Sequence, residues 1–554
     1  MLTSIPPEIY QNIFKDLDTD SLYSVILVNR IWCSNAISIL WQNPLELLYQ
    51  NDDSEYFETD VKSVIKTYIS CLPKESKLML SFTDLCIDLL TSSSSIPTFN
   101  YPSFLHTLNY VLLSDSVNRI IKDNANVMMV LILLCKLFFD QGFNIRSLEF
   151  STHMVKDYIG SHLKTIYMNL REIPGADTFL SRIQRLCWRD DAPLHCLSSI
   201  AEIAKEIRVL DILLESEYEN ESGSNELFTL INAQINLQQI KIISLKKTTK
   251  AISALRSKSN TLRKIFIKGV ASFSLDFFYE CSNLEELSLL YNESHLLTNP
   301  QISRQLRTEI QSYIQAGVLD RTQMVPSVQM VTAIRNSMAN IRGTTIQVRS
   351  NEKQQLNHSS EMNTSLNPNY LNLSKLTVFQ VNLDSFQTTE QVIDIIQCNK
   401  GGLRELRIQK TAPISVEHLK KLFLMVINHC PNLIHITLCI PNIAISEIPN
   451  LFKKCLLLEE IYLKAVKTMD ISETLDEMSL DVPINLKSLS LGLYSWKYSF
   501  ESIKGFLNGC ELRVNKKPIR FLYSDNLIKD VIDVLELYES KGILELVEKR
   551  LWCA

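Results

Sequence analysis

The chain has 554 residues, of which 46% are hydrophobic and 21% are charged, and its formal net charge is −5. This composition is too apolar for a disordered protein, and the near-neutral balance gives no field that would draw nucleic acid to the molecule, so no nucleic-acid partner is expected. Only 13 residues are glycine, which leaves little room for the phosphate-binding loops of nucleotide enzymes.

The N-terminus has no basic region followed by an apolar core, so we expect no secretory signal. The 13 cysteines include no CxxC pair, which argues against a zinc ribbon, a RING-type site or a thioredoxin-like motif. These features predict reduced thiols and a location in the cytoplasm and/or the nucleus. The most apolar stretch, Val127–Phe139, is too short to cross about 30 Å of hydrocarbon, so it predicts a buried helix and no membrane partner.

Residues 4–41 predict three short helices. Pro6 and Pro7 suit a helix start because proline lacks an N–H that the first turn would leave unpaired anyway. Thr19 or Asp20 can cap the second helix, and the third follows Asn29. The apolar positions recur at helical spacing, so the helices should form a bundle of about 40 residues. A bundle of this size is marginally stable alone, and we expect a partner to cover it.

This stretch resembles the F-box. Ile5-Pro6-Pro7-Glu8-Ile9 and Val28-Asn29-Arg30-Ile31-Trp32 occupy the places of the family's Leu-Pro-x-Glu-apolar and Val-Cys-basic-x-Trp motifs. The likeness to large fungal F-box families continues through Leu40-Trp41-Gln42-Asn43-Pro44. It implies an F-box at residues 1–48 that docks onto the Skp adaptor and, through it, a cullin.

The residues at the implied docking positions are Pro6, Ile9, Ile13, Leu17, Leu22, Val28 and Trp32. An alternative stays open for several of them, because the same apolar side chains could hold the bundle together. This applies most to Val28 and Trp32.

Residues 49–140 predict a helical connector between the F-box and the rest of the chain. Helical periodicity is visible at Val61–Ile69, Leu78–Leu90 and Val127–Phe139. Ser92–Ser95, followed by Pro97, indicates a loop.

One short pattern then recurs along the chain: apolar, two residues, apolar, one residue, apolar. Its last two apolar residues point to one face of a strand, and the segment after each strand is long enough to return as a helix, as Val416–Ile427 illustrates. Stacked units of this kind would bury a continuous core. The units are Ile145/Leu148/Phe150, Leu163/Ile166/Met168, Ile183/Leu186/Trp188, Ile207/Leu210/Ile212, Leu237/Ile240/Ile242, Leu262/Ile265/Ile267, Leu284/Leu287/Leu289, Leu373/Leu376/Val378, Leu403/Leu406/Ile408, Leu433/Ile436/Leu438, Leu458/Ile461/Leu463 and Leu486/Leu489/Leu491.

The pattern resembles leucine-rich repeats of the cysteine-containing type. Cys281, Cys430 and Cys455 each precede a strand leucine by three residues, and Cys398 precedes one by five. The resemblance implies an α/β solenoid with parallel strands and outer helices, in two parts at residues 141–294 and 371–525. The simplest interpretation of these cysteines is that they are small, inert, buried groups.

Two further segments complete the predicted organisation. Residues 295–370 are rich in Gln, Asn, Ser and Thr, which predicts a polar, disordered insertion with a short helix at Ser303–Ile314. It is either a tolerated surface insertion or a regulatory, partner-binding loop. Residues 526–554 predict a C-terminal helical cap over the last repeat, with a break at Lys541-Gly542.

No catalytic or metal-binding motif stands out in the sequence. The acidic pairs Glu285-Glu286 and Glu459-Glu460 lie on strands, where neighbours point to opposite faces and cannot act as an acid–base couple. We therefore expect no enzyme, no cofactor and no metal. The concave face of the repeats is the expected surface for a target protein, and its first half leans basic, which would suit an acidic or phosphorylated segment. Its candidate residues are Tyr167, Arg185, Arg189, Phe266, Lys268, Arg407, His435 and Tyr462.

These features together favour a non-catalytic substrate receptor of an SCF-type cullin–RING ubiquitin ligase. The F-box would hold the Skp adaptor, and the repeats would hold a target protein for ubiquitination. The alternative is a leucine-rich-repeat interaction scaffold that does not act in a ubiquitin ligase.

Overall fold

A computed structural model of the chain describes residues 6–50, 56–81, 97–121, 123–150, 165–189, 192, 195–214, 221–244, 253–269, 275–291, 373–383, 386–410, 414–466, 468–490, 496–512, 517–523 and 529–548. The predicted insertion at 295–370, with its helix at Ser303–Ile314, lies outside the described residues, as does most of the predicted helix at Leu78–Leu90.

The α-helices are α1 Pro7–Phe14, α2 Thr19–Ile26, α3 Arg30–Leu40, α4 Pro44–Tyr49, α5 Phe57–Ser70, α6 Lys74–Ser81, α7 Tyr110–Ile120, α8 Asn124–Gln141, α9 Ala176–Leu180, α10 His195–Ile203, α11 Glu221–Ala233, α12 Phe386–Asn399, α13 Val416–His429, α14 Ile448–Lys454, α15 Ser472–Met478, α16 Phe500–Glu511 and α17 Lys529–Ser540. Short 3₁₀ helices lie at Tyr101–Phe104, Leu170–Glu172, Arg256–Lys258, Leu275–Glu280 and Asn442–Glu447.

The strands are β1 Thr107–Asn109, β2 Ser147–Phe150, β3 Arg185–Arg189, β4 Val209–Leu214, β5 Gln239–Ser244, β6 Lys264–Gly269, β7 Glu286–Tyr291, β8 Val378–Leu383, β9 Glu405–Lys410, β10 His435–Ile440, β11 Glu460–Ala465, β12 Met469–Asp470, β13 Ser488–Ser490, β14 Trp496–Lys497, β15 Ile519–Tyr523 and β16 Leu544–Glu548.

Helices α1–α3 form the predicted N-terminal bundle, with a small core of its own. The second helix is capped by Asp18, whose Oδ1 accepts a hydrogen bond from the Ser21 amide at 2.7 Å, so the prediction of Thr19 or Asp20 as the cap is wrong by one or two residues. The third helix does follow Asn29, whose Oδ1 accepts from the Trp32 amide at 2.9 Å. The buried core residues are Phe14, Leu22, Val25, Ala36 and Leu40.

The rest of the described chain forms a long parallel sheet with helices. Fourteen strands are hydrogen-bonded in chain order within the described residues, with β12 and β14 set apart as a separate pair. The register keeps equivalent positions side by side, so that Ile265 of β6 lies between Ile240 of β5 and Leu287 of β7. These apolar residues are buried, while the residues between them are half-buried or exposed. The sheet therefore has one face packed into the core and one open face.

Helices between the strands pack against one another, as α10 does with α11 and α12 with α13. This arrangement confirms the mixed α/β prediction with parallel strands. The assignment to leucine-rich repeats, and to a solenoid, stays a prediction.

Helix α8 contains the predicted buried helix Val127–Phe139. By length and composition it could cross a membrane, but half of it is buried inside the protein. Nine of its side chains are buried, including Leu131, Leu134 and Phe138, and they join the same core as the sheet. The prediction of a buried helix is confirmed.

The structure differs from the predicted organisation at five places. The predicted unit Leu373/Leu376/Val378 is out of register by three residues, because Phe379 and Val381 of β8 are the buried residues that pair with Leu287 and Leu289, whereas Val378 is half-buried. Ile166 and Met168 lie in non-regular chain, and β2 pairs directly with β3, so the predicted strand there is wrong. The predicted helical connector contains the first strand, β1. Strand β15 was not predicted, and the predicted C-terminal helical cap is wrong at Leu544–Glu548, which form the last strand of the sheet.

The four cysteines predicted to be buried are buried. Cys430 and Cys455 directly follow α13 and α14, and the Cys455 thiol donates to the Cys430 carbonyl oxygen at 3.2 Å. Burial raises the pKa of Cys281, Cys430 and Cys455 to about 12, so these thiols stay protonated and unreactive near neutral pH.

Candidate functional site

The outer surface of the N-terminal bundle is strongly apolar. Ile9 and Ile13 lie on α1, Leu27 and Val28 lie in the turn between α2 and α3, and Ile31 lies in the first turn of α3. All five side chains are about half exposed or more, and Leu27 is 86% exposed. Single exposed apolar residues are normal, but this many within one small bundle indicates an interaction surface.

The seven residues predicted to dock an adaptor fall into three groups. Pro6, Ile9, Ile13 and Val28 are exposed, whereas Leu17 and Trp32 are half-buried. Trp32 packs its ring against Phe14, with 5.5 Å between centroids, so it supports the bundle while keeping some surface.

Leu22, the last of the seven, is only 6% exposed and belongs to the bundle core. It therefore holds the bundle together and offers little surface to a partner. Sequence reasoning missed three exposed residues, Tyr23, Leu27 and Ile31. The apolar run Val25–Val28 could have indicated Leu27. The family motif names only Val28 in this run, so comparison with the motif does not select Leu27.

The bundle is joined to the sheet by direct contacts. The ring of Trp41, at the end of α3, lies 4.3 Å from that of Tyr101 and 5.4 Å from that of Tyr68, centroid to centroid. The Gln42 carbonyl accepts from the His106 amide at 3.0 Å, and Asn43 Oδ1 accepts from the Thr107 amide at 3.2 Å. The chain leaving the bundle is therefore hydrogen-bonded to the start of the first strand.

Helix α4 adds a second, buried connection. The Tyr49 hydroxyl donates to Asp115 Oδ2 at 2.7 Å, and Arg119 Nε donates to the same oxygen at 2.6 Å. Arg119 also reaches Glu58 at 3.0 Å. The buried hydrogen bond joins α4 to α7, and the ion pair with the exposed Glu58 joins α7 to α5, so the chain that leaves the bundle is tied to the helices beside the sheet.

Seven of the eight predicted target-binding residues lie on the open face of the sheet, from Arg185 on β3 to Tyr462 on β11. Tyr167 does not, because it lies in the non-regular chain between β2 and β3. Its ring stacks on that of Tyr110, with 6.2 Å between centroids, and it packs against the main core. Its predicted position on the concave face is wrong.

The open face begins with a partly buried polar and charged cluster on β1–β4. Arg185 Nη2 donates to Asp211 Oδ2 at 2.7 Å, while Asn109 Nδ2 donates to Glu149 Oε2 at 3.2 Å. Burial, and then the nearby Glu46 carboxylate, raise the pKa of Glu149. Burial also raises the pKa of Cys187 to about 12. The raised thiol pKa makes Cys187 a poor nucleophile.

Strands β5–β7 carry the predicted Phe266 and Lys268. Lys264 Nζ forms an ion pair with Glu286 Oε1 at 2.6 Å. Lys241 Nζ instead lies 5.6 Å from the Phe266 ring centroid, within cation–π range. Lys268 makes no ion pair with any described residue. This region combines apolar surface with positive charge.

Strands β9–β11 carry balanced charge. Arg407 Nε pairs with Glu405 Oε1 on its own strand at 2.7 Å, and His435 Nδ1 lies 3.7 Å from Glu405 Oε2. Tyr462 lies half-buried on β11. Within the part of the chain that the structure describes, no group of three His, Cys, Asp or Glu residues could hold a metal ion.

Comparison with known families identifies the N-terminal bundle. Residues 2–46 match the F-box-like family model. The bundle is an F-box-like domain. F-box domains typically bind the Skp adaptor in SCF ubiquitin ligases, and the exposed apolar residues found above lie within the matched segment. No curated protein matches the chain.

Proposed function

We propose that this chain is a non-catalytic substrate receptor of an SCF-type ubiquitin ligase, in which the F-box-like domain binds the Skp adaptor. The observation that carries the proposal is the apolar surface of that domain, formed by Ile9, Ile13, Leu27, Val28 and Ile31. Fully burying one such side chain stabilises a complex by about 1.5–3 kcal/mol before the cost of association, so a partner that covers several of them binds well.

The open face of the sheet is the proposed binding surface for the target. Tethering a target beside the ligase raises the effective concentration of its lysines near the charged ubiquitin carrier, so the receptor itself needs no covalent chemistry. The direct contacts of Trp41 and Tyr49 support this role, because they give the target a defined position relative to the adaptor. The cytoplasm and/or the nucleus is the proposed location.

The test is adaptor binding by the full chain with Ile9→Asp and Ile13→Asp. Both side chains are about half exposed, so the substitutions place charge on the surface without disturbing the core. We expect adaptor affinity to fall at least about 100-fold, which corresponds to about 2.7 kcal/mol. Leu480→Asp with Leu512→Asp is the matched control, because both leucines are more than 80% exposed and follow α15 and α16, outside the F-box-like domain.

Unchanged adaptor affinity in the Ile9→Asp, Ile13→Asp variant would show that the adaptor contacts another surface or none. Adaptor binding by the natural chain without recruitment of a cullin would favour the scaffold function instead. Circular dichroism of each variant distinguishes lost contact from lost folding.

A further inference from the structure

A small region of the open face differs from the rest of that face. On β4–β7 two adjacent rows of side chains run across the sheet in register: Asp211, Lys241, Phe266 and Ser288, and then Leu213, Ile243, Lys268 and Leu290. We call six of them the lysine patch: Leu213, Lys241, Ile243, Phe266, Lys268 and Leu290. All six side chains are half-buried, so each keeps accessible surface.

The two lysines of the patch have no carboxylate partner among the described residues. The nearby carboxylates are already paired with other cations. Asp211 pairs with Arg185 at 2.7 Å, and Glu286 pairs with Lys264 at 2.6 Å. Lys241 instead lies over the Phe266 ring, and Lys268 forms no ion pair within the described chain.

The net positive charge is confined to one part of the open face, whereas the whole molecule is negatively charged. The open face of β3–β7 carries five basic side chains and two acidic ones, although the whole chain has a net charge of −5. The face of β8–β11 carries two of each, counting His435 as neutral. The basic residues of β3–β7 are Arg185, Arg189, Lys241, Lys264 and Lys268, and the acidic ones are Asp211 and Glu286.

The apolar members of the patch point to a protein ligand. Leu213, Ile243 and Leu290 occupy one row, and Phe266 lies in the row beside it. On β8–β11 the same row holds Asn382, Gln409, Cys439 and Lys464. Aliphatic side chains gain nothing from the phosphate backbone of a nucleic acid, which is bound by rows of cations, whereas they bury apolar side chains of a peptide.

We propose that the lysine patch binds the target through an extended acidic segment. In this segment two acidic residues are separated by one residue. An apolar residue follows or precedes the pair at the same spacing. Alternate residues of an extended chain lie about 6.6 Å apart on one side, which suits two lysines placed diagonally on neighbouring strands. This inference rests on the proposed function, because it assigns a chemical class to the target of the same receptor.

The experiment is selection of a random peptide library on the purified full chain, followed by fluorescence anisotropy with the enriched peptide. We expect acidic residues alternating with an apolar residue. Lys241→Glu with Lys268→Glu should lower the affinity for that peptide at least tenfold. The same variant should select peptides with basic residues instead. Lys464→Glu with Lys504→Glu is the control, because it reverses the same amount of charge outside the patch and should keep both the selected pattern and the affinity.

Three outcomes would overturn the proposal: selection of neutral or basic peptides or of none, equal weakening by the control, or displacement of the enriched peptide by single-stranded polyuridylate. Skp-adaptor binding is measured on the same preparations. If the adaptor binds while the peptide selection fails, the inference is wrong and the proposed function stands. If the adaptor does not bind, the proposed function is wrong whatever the peptides do.

Discussion

Two buried amide side chains form hydrogen bonds with backbone groups at places where one strand–helix segment packs on the next. Asn399 is 1% exposed, and its Nδ2 donates to the Leu373 and Leu376 carbonyls at 2.9 and 2.7 Å. Its Oδ1 accepts from the Leu403 amide at 2.8 Å. Gln234 forms an equivalent set of bonds around Ile207. Their role depends on which carbonyls come within reach, so sequence alone does not distinguish them from surface amides.

Replacing Asn399 with leucine should therefore destabilise the protein strongly. The change leaves buried carbonyl and amide groups without partners, and we expect the free energy of unfolding to fall by about 3 kcal/mol. Urea denaturation measures the change. Gln409→Leu, at an exposed position of β9, is the control and should alter stability by less than about 0.5 kcal/mol. Equal midpoints for the two variants would contradict the bridging role.

Glu149 gives a prediction about pH. Burial and the neighbouring Glu46 raise its pKa in the folded state above the unfolded value, so the folded protein binds the proton more tightly than the unfolded chain does. Its contribution to stability is most favourable below the unfolded pKa and becomes less favourable as pH rises through the folded pKa.

Glu149→Gln should thus be more stable than the natural chain at pH 7, and the gain should shrink as pH falls to about 4. Urea denaturation across this pH range tests the prediction. Glutamine keeps one oxygen, which can accept from Asn109 Nδ2, and its new amide group can donate to the Ser147 hydroxyl, so both contacts have a replacement. A variant that is less stable than the natural chain at pH 7 would show that attraction to Arg185 outweighs burial.

At the scale of elements, the apolar pattern predicted most strands from β2 to β13 because each strand has its apolar residues two positions apart on a buried face. It failed at Ile166 and Met168, whose partly buried side chains satisfy the same pattern from non-regular chain. It was three residues early at β8, because Leu373 is buried as well and starts the same pattern before Leu376 does. The prediction of a helix at β16 is wrong, although Leu544 and Leu546 lie two positions apart, as the buried residues of the other strands do. The docking surface was only partly predicted, since helix packing determines which apolar side chains of the bundle stay exposed.

Helix α16 contains two glycines whose surroundings differ. A Cβ added at Gly509 would lie 2.2 Å from the Ser479 carbonyl oxygen, which belongs to the backbone beside α15. A Cβ added at Gly505 would meet only Asp476 Oδ1, at an ordinary 3.4 Å. Gly509 therefore permits a close approach that no other residue allows, whereas Gly505 does not.

Gly505→Ala should stabilise the protein by about 0.5–1 kcal/mol, because alanine has the higher helix propensity. Gly509→Ala should destabilise it, because α16 has to move away from Ser479. Thermal unfolding of the two variants beside the natural chain is the measurement. If both alanines were stabilising, the close packing of α16 on α15 would be wrong.

At the scale of the whole molecule, the F-box-like domain and the sheet are coupled through one side chain that both cores share. Trp41 packs partly against the core of the bundle and partly against the main core. The hydrogen bonds of Gln42 and Asn43 to the start of β1 also restrict how the domain can turn relative to the sheet. A receptor that presents a bound target at a fixed place relative to its adaptor needs a connection of this kind.

Trp41→Ala with Tyr49→Phe should loosen this connection without touching the apolar docking surface. The alanine removes the ring contacts with Tyr68 and Tyr101, and the phenylalanine removes the hydroxyl that donates to Asp115. We expect adaptor affinity to stay within about twofold, while small-angle X-ray scattering of the complex shows a larger radius of gyration. An unchanged radius would mean that the remaining contacts of α4 fix the domain by themselves. Weakened adaptor binding would mean instead that the bundle depends on the sheet for its own fold.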